Sequence, residues 1–175
     1  MLDNKTTAKH NKKPDRKRNR LEVYNYSLDG AYFLTICTKD KQQILGEVVG
    51  DGALGVPTVQ LSETGKIVKK YIEHINTTSE YAKVDHYVIM PNHVHLIVTI
   101  DNGTPKAPSP INDVIPRTIS SIKSLASKEI GKSIWQRSYF DHVIRNETGY
   151  KKVWEYIDTN PLRWKADEYY KKTCN

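Results

Sequence analysis

Two histidines stand one residue apart in His93-Val94-His95, within the largely apolar run 92–100. Side chains alternate across a β-strand, so His93 and His95 point to one face of a sheet while Val94 points to the other. Two imidazoles on one face can reach the same cation. A lone pair of this kind is more often a surface or hydrogen-bonded pair, and the spacing alone is weak evidence for a metal.

A tyrosine and an asparagine, Tyr156 and Asn160, are four residues apart in a segment of helical periodicity. Residues at i and i+4 lie one above the other on a helix. The apolar stripe of this helix runs through Tyr150, Val153 and Ile157, and the pair lies at its border. A side chain at that border can lie beside a sheet and stay reachable. Taken alone, the pair is more simply an amphipathic tyrosine and a helix-ending asparagine.

The histidines, the tyrosine and the asparagine together suit phosphoryl transfer. Two neutral imidazoles and a carboxamide oxygen make a three-ligand site with open positions, which fits a catalytic divalent ion. Such an ion offsets negative charge at a phosphate in the transition state. A phenol has an ordinary pKa of ~10, so a nearby cation helps a tyrosine to become a phenolate nucleophile. A phosphotyrosine intermediate keeps the ester bond energy and permits strand rejoining without ATP.

The elements that must position these residues can be predicted from hydrophobic periodicity and from helix-capping residues. Ser62 is expected to begin the first helix, Gly131 to end the second and Pro161 to end the third. Without an accessory hairpin at 44–61, the order is β-α-β-β-α-β followed by a helix. This order predicts an α+β, ferredoxin-like antiparallel sheet with helices on one face. Strands are predicted at 31–38, 84–90, 92–100 and 139–145, and helices over about 63–76, 116–130 and 147–160.

The chain has 175 residues, 38% of them hydrophobic and 27% charged, which is typical of one globular domain. No stretch approaches the roughly 18 apolar residues of a transmembrane helix, so we expect no membrane partner. The first twenty residues lack the apolar core of a secretory signal. Cys37 and Cys174 form no metal-binding or disulfide pattern. We expect a cytoplasmic protein with reduced thiols.

Positive charge is concentrated at one end of the chain. Residues 1–20 contain eight basic and two acidic residues, a net of +6, which leaves +1 of the total +7 for the other residues. We therefore predict a disordered basic arm at 1–20 and a single folded domain at 21–175. A basic arm favours nucleic-acid binding because each cation near a phosphate releases a counterion. A solubilising tail is an equally good interpretation of the charge alone.

Six short motifs occur in order between residues 30 and 161. Together they resemble the HUH (His-hydrophobic-His) single-tyrosine transposases, and in particular the REP-associated tyrosine transposases. The resemblance covers most of the folded part of the chain. The motifs are Gly30-Ala-Tyr-Phe-Leu-Thr-Ile-Cys37, Met90-Pro-Asn-His-Val-His-Leu96, Ile122-Lys-Ser124, Ile134-Trp-Gln136, Phe140-Asp-His-Val-Ile-Arg-Asn146 and Tyr156-Ile-Asp-Thr-Asn-Pro161.

The resemblance implies an enzyme that cleaves and rejoins single-stranded DNA beside a hairpin. It implies Tyr156 as the nucleophile and His93, His95 and Asn160 as ligands of a divalent metal, for which we expect Mg²⁺ or Mn²⁺. Many insertion-sequence relatives carry glutamine at the last of these positions, and asparagine is shorter. The resemblance leaves open a monomer or a homodimer, and whether one chain or two complete the site.

Other interpretations of the same residues remain open at this point. Tyr139 and Tyr150 are rival nucleophiles by residue type, although Val143 and Trp154, four residues on, are not metal ligands. A domesticated DNA- or RNA-binding module would use the same sheet without cleavage. A phosphodiesterase that uses water would leave Tyr156 with a structural role. The three tryptophans and several cations are candidate nucleic-acid contacts, namely Trp135, Trp154, Trp164, Lys123, Lys128, Arg137, Arg145 and Arg163.

Overall fold

The strands and helices follow one another in the expected order in the computed structural model, which describes residues 29–50, 57–101 and 113–170. The basic arm and its boundary with the folded domain lie outside these residues. Two short 3₁₀ turns, Lys39–Lys41 and Pro161–Ala166, follow β1 and α3. The main elements are β1 (Gly30–Cys37), β2 (Gly46–Val49), β3 (Thr58–Leu61), α1 (Glu63–Thr78), β4 (Ala82–Ile89), β5 (His93–Ile100), α2 (Val114–Ile130), β6 (Phe140–Ile144) and α3 (Glu147–Thr159).

Four strands form one antiparallel sheet in the order β4-β5-β1-β6. β1 and β5 are its two central strands, and their register pairs Cys37 with His93 and Thr35 with His95. This is the order of a split β-α-β unit. Helix α1 connects β1 to β4, and β5 then pairs between these two strands. The predicted α+β, ferredoxin-like antiparallel sheet is confirmed.

The two faces of the sheet have different covers. Tyr32, Leu34 and Ile36 alternate along β1 on the face that packs against α1 and α2, and all three are fully buried. The alternate residues point to the other face, where Ile97 of β5 packs with Ile157 of α3. α1 and α2 thus share one face as expected, and α3 covers the face that carries the two histidines.

The predicted helix boundaries agree with local capping chemistry. The side chain of Ser62 accepts a hydrogen bond from the Gly65 N–H at the start of α1, and Asn146 does the same for Gly149 at the start of α3. Gly131 ends α2 with φ of 81°, a left-handed conformation that glycine adopts without strain. α1 continues for two residues past the predicted end at Asn76.

The accessory hairpin forms a separate two-stranded sheet of β2 and β3, and its turn at 51–56 lies outside the described residues. Leu45, just before β2, is fully buried, and its carbonyl accepts the Ser62 N–H. The start of α1 is thereby held against the hairpin. In the described part of the chain no helix has the length and apolar character needed to cross a membrane.

Candidate active site

His93 and His95 lie at the beginning of β5 and share one face of the sheet, with ring centroids 4.5 Å apart. They are only 0% and 1% exposed, so of the two simpler alternatives, a surface pair or a hydrogen-bonded pair, the surface pair is excluded. Two buried polar rings must find partners, because burying a polar group without a hydrogen bond costs free energy. The partners of each ring nitrogen therefore reveal what the pair is arranged to do.

The orientation of the His93 ring is fixed by Asn92. The Asn92 amide Nδ2 donates to the carbonyls of Lys41 and Tyr169, at 3.1 and 2.8 Å, which leaves its Oδ1 as an acceptor. His93 Nδ1 lies 2.9 Å from this oxygen and must therefore donate. The lone pair of the neutral ring is then on Nε2, which is buried and has no hydrogen-bond partner among the described residues.

His95 is held by the neighbouring strand. Its Nδ1 lies 2.9 Å from the hydroxyl of Thr35, its register partner on β1. Its Nε2 lies 3.5 Å from the hydroxyl of Tyr156 on α3. Phe33 packs its ring against both, at 5.1 Å from the His95 ring and 5.9 Å from that of Tyr156. The ring contacts leave Nε2 of His95 on the side of the tyrosine.

Helix α3 is attached to the sheet so that Tyr156 and Asn160 face the histidines. The Tyr150 hydroxyl donates to Asp85 at 3.0 Å, and Asp158 lies 2.7 Å from Nε2 of His86. Both partners are on β4, at a β-bulge between Val84 and His86. Tyr150 and the histidine of β4 thus serve in holding the helix, whereas Tyr156 remains directed at His95.

Asn160 is 1% exposed and lies just after the last residue of α3. Its Nδ2 donates to Asp167 at 3.2 Å. Its Oδ1 is buried without a hydrogen-bond partner in the described chain. The sequence-predicted set of Tyr156, Asn160 and the two histidines is therefore brought together in one place.

Asp167 is a member of this cluster that the sequence did not predict. One oxygen of its carboxylate and one nitrogen of each histidine lie within 4.8 Å of one another. Asp167 follows the 3₁₀ turn Pro161–Ala166, which returns the chain to the start of β5. No regular spacing relates it to the histidines or to the helix, so no sequence pattern pointed to it.

Comparison with known proteins identifies the family to which this arrangement belongs. The family model described as "Transposase IS200 like" matches residues 29–160, which include both histidines, Tyr156 and Asn160. The chain belongs to the IS200-like transposases.

Individual proteins resemble this chain in sequence or in fold. The transposase is 33% identical to an uncharacterized protein of Haemophilus influenzae, over 94% of this chain and 98% of that protein. It is 29% identical to the REP-associated tyrosine transposase of Escherichia coli over 82 residues, 46% of this chain and 45% of that protein. A solved REP-associated tyrosine transposase bound to a REP hairpin shares the fold, with a TM-score of 0.58 and 22% identity, over 82% of this chain and 74% of that one.

Burial controls the protonation of the site in this transposase. It lowers the pKa of His93 to about 2, helped by the neighbouring His95, and lowers the pKa of His95 to about 3. Both imidazoles are therefore neutral across the physiological range. Burial also raises the pKa of Tyr156, and the charges of Asp167 and Glu168 raise it further, while Asn160 and Arg163 act in the opposite direction.

Of the three tyrosines that the sequence made candidates, Tyr156 alone touches the histidines in the described structure. Tyr150 is bound to Asp85, and Tyr139 lies beside α2. Tyr169 was not predicted, yet its ring lies 4.6 Å from that of His93 and covers it. Burial raises the pKa of Tyr169 strongly, which makes its phenolate hard to form.

Proposed function

We propose that this transposase cleaves single-stranded DNA beside a hairpin and rejoins it through a phosphotyrosine intermediate on Tyr156. His93, His95 and Asn160 would hold a divalent metal ion, Mg²⁺ or Mn²⁺, with Asp167 beside them. The relative of shared fold was solved on a REP hairpin, which supports hairpin DNA as the substrate class.

The observation that carries the proposal is a pair of buried acceptors without donors. Nε2 of His93 and Oδ1 of Asn160 both present lone pairs, and neither has a hydrogen-bond partner in the described chain. The neutral His95 and the Asp167 carboxylate complete the group. The lone pairs of His93 Nε2 and Asn160 Oδ1 receive no N–H or O–H donor, and a carboxylate lies beside them. Such a group of electron-rich atoms fits a cation. Neutral nitrogen with oxygen donors is a set that Mn²⁺ accepts readily, and Mg²⁺ accepts when oxygens and water complete it.

The hydrogen bonds that hold the two histidine rings favour the same use. Asn92 fixes His93 with Nδ1–H donating, and Thr35 is placed to accept the Nδ1–H of His95, so both Nε2 atoms are left to bind a metal. Metal-ligating histidines in proteins commonly have this kind of second partner. The bound ion would neutralise charge on the scissile phosphate and lower the pKa of the nearby phenol.

Tyr156 supplies the covalent step. Its phenol loses a proton, its oxygen forms a bond to the scissile phosphorus, and the bond from phosphorus to one ester oxygen of the DNA breaks. That oxygen takes up a proton and leaves as a free hydroxyl. Attack by a DNA hydroxyl on the phosphotyrosine reverses these bond changes and releases the tyrosine. All the side chains involved come from one chain, so a monomer carries a complete set.

Trapping of a covalent protein–DNA adduct tests the proposal. The probe is a labelled single-stranded oligonucleotide that carries a short inverted repeat taken from the DNA on either side of the gene. The parent protein should give a denaturation-resistant band with Mg²⁺ or Mn²⁺ and none with EDTA. Tyr156→Phe should bind DNA but give no adduct, because only the hydroxyl is removed.

Two further variants make the experiment discriminating. His93→Ala should bind the hairpin and give no adduct, while Tyr71→Phe, a change to a tyrosine of α1 that bonds to α2 and not to α3, should keep adduct formation. An adduct formed by Tyr156→Phe would refute the nucleophile assignment. Cleavage without any adduct in the parent would favour a water-using phosphodiesterase, and binding without cleavage would favour a DNA-binding module.

A further inference from the structure

An open cleft of about 760 Å³ lies between α2 and residues 131–139, the segment that leads into β6. Four of its lining residues are cations, Lys123, Lys128, Lys132 and Arg137, and no acidic residue is among the described residues that line it. No ion pair with a carboxylate engages these four in the described chain. Hydroxyl groups of four serines, at positions 120, 124, 127 and 133, also line the cleft. This is a concave surface of one charge sign with many hydrogen-bond donors.

A buried donor at the cleft has no partner. Trp135 lines the cleft and is 7% exposed, and its indole Nε1 is buried without a hydrogen-bond acceptor among the described residues. A buried N–H without an acceptor is costly, so native proteins rarely leave one unless water or a ligand supplies it. The ring is too buried to stack on a base, and its one polar group, the N–H, lacks an acceptor in the described chain.

The shape of the cleft is fixed by internal contacts. Lys123 donates from Nζ to the carbonyls of Gln136 and Ser138, both at 2.9 Å, which fastens the segment to α2. Burial lowers the pKa of Lys123 to about 8, so this lysine still carries most of its charge at neutral pH. Lys128, Lys132 and Arg137 are exposed and available for a ligand.

The cleft also adjoins the histidine site through the backbone. The Gln136 N–H donates to the carbonyl of Cys37 at 2.9 Å, and Cys37 is the register partner of His93. Neighbouring strands lie ~5 Å apart, so the wall of the cleft is on the order of 10 Å from the backbone of His93. Because α2 and the two histidines lie on opposite faces of the sheet, a strand of DNA that contacts both places has to pass around the end of β1.

We propose that this cleft binds the phosphates of the single-stranded DNA that flanks the cleavage position, with the Trp135 N–H donating to one DNA oxygen. The proposal rests on the function proposed above. Phosphates match the lysines, the arginine and the serine hydroxyls. A cleft of this volume is in the range that holds a small ligand, which suits a short stretch of single strand.

Salt-dependent DNA binding tests the cleft without knowledge of the target, because phosphate contacts do not depend on base sequence. The probes are a mixed-sequence single-stranded oligonucleotide and the blunt duplex of the same sequence. The triple variant Lys128→Ala, Lys132→Ala, Arg137→Ala should reduce the slope of log K against log salt for the single strand by about 2, at about 0.7 for each phosphate that is no longer neutralised. Duplex binding should change less.

A charge-matched control separates the cleft from general electrostatics. The triple variant Lys66→Ala, Lys69→Ala, Lys83→Ala removes the same number of charges outside the cleft, from exposed lysines that each pair with a carboxylate, and should leave the single-strand slope unchanged. Trp135→Phe keeps a buried aromatic ring and should weaken single-strand binding, because the indole N–H is removed. Equal slopes in the two triple variants would overturn the proposal. Adduct trapping on the parent protein decides the proposed function separately, because the cleft residues are outside the tyrosine–histidine cluster.

Discussion

Asp167 brings a negative charge to a cluster whose other proposed donors are neutral. It accepts a hydrogen bond from Asn160 and lies close to both histidines. Its charge has two opposite consequences for the reaction. It would attract a divalent cation, and it raises the pKa of Tyr156, which disfavours the phenolate. A bound cation would offset the second effect, so the carboxylate and the metal are coupled.

Asp167→Asn separates these two effects. We expect the Mn²⁺ concentration for half-maximal adduct formation to rise at least ~10-fold, because a charged group beside the ion is removed. At saturating Mn²⁺ the rising limb of the pH profile should move to lower pH, because removal of a negative charge lowers the pKa of Tyr156. Rates of adduct formation against Mn²⁺ and pH measure both.

Glu168→Gln is the matched control for this charge change. Glu168 also raises the pKa of Tyr156 but is not in the group of possible metal ligands. This variant should shift the pH profile in the same direction and leave the Mn²⁺ requirement as in the parent. An unchanged Mn²⁺ requirement in Asp167→Asn would mean that Asp167 does not help to bind the ion and only positions the Asn160 amide.

The sequence predicted those site residues that a regular spacing relates to one another. Alternation along one strand put His93 and His95 on the same face, and the helical repeat put Tyr156 one turn before Asn160. Asp167 and Tyr169 reach the site through a 3₁₀ turn followed by extended chain, which have no long-range periodicity. Their approach depends on tertiary packing, so no pattern of residue types could have predicted it.

Close packing between elements decides where the first turn of α1 can lie. Gly65 is the third residue of α1, and a Cβ built there would overlap the carbonyl oxygen of Leu45. Gly149 is the third residue of α3, and a Cβ there would meet only Asn146 Oδ1 at 3.3 Å and Ile144 Cγ2 at 3.7 Å. Both glycines donate their N–H to a capping side chain. They form a matched pair that differs in the space around Cα.

Gly65→Ala should therefore lower the free energy of unfolding by about 2 kcal/mol or more, because backbone must move to relieve the overlap. This corresponds to a decrease in Tm of roughly 4 °C or more. Gly149→Ala should stay within about 1 kcal/mol of the parent, since alanine's better helix propensity offsets the tight contact. Thermal or urea unfolding measures both, and equal losses of stability in the two variants would contradict this account of α1.

The elements were predictable because their ends depend on local chemistry, as with Ser62 before α1 and Gly131 after α2. The burial of the histidine face was not predictable in the same way. An antiparallel sheet can leave one face in water. Here the side-chain hydrogen bonds of Tyr150 and His86, together with the apolar packing of Ile157, hold α3 over that face. These two hydrogen bonds connect residues that are 65 and 72 positions apart in the sequence, and hydrophobic periodicity cannot predict contacts over such distances.

Two regions of the molecule concentrate positive charge, and only one of them belongs to the folded body. The proposed cleft belongs to the folded body and lies next to the strand that pairs with β5. The arm at 1–20 carries a net charge of +6 and lies outside the described residues. If both contact phosphates, the cleft positions a particular stretch of strand, while the arm adds affinity that does not depend on where the DNA is cut.

Deletion of residues 1–20 should weaken DNA binding and flatten the dependence of log K on log salt. Each phosphate that the arm no longer neutralises should reduce the slope by about 0.7 for a single strand and about 0.9 for a duplex. Adduct formation at saturating DNA should survive, because His93, His95, Tyr156 and Asn160 stay in the folded body, and the cleavage position should change little because phosphate contacts do not read sequence. An arm of the same composition in shuffled order is the control and should restore the slope. If the deletion leaves the slope unchanged, the arm is a solubilising or partner-binding tail, and nucleic-acid binding belongs to the folded body alone.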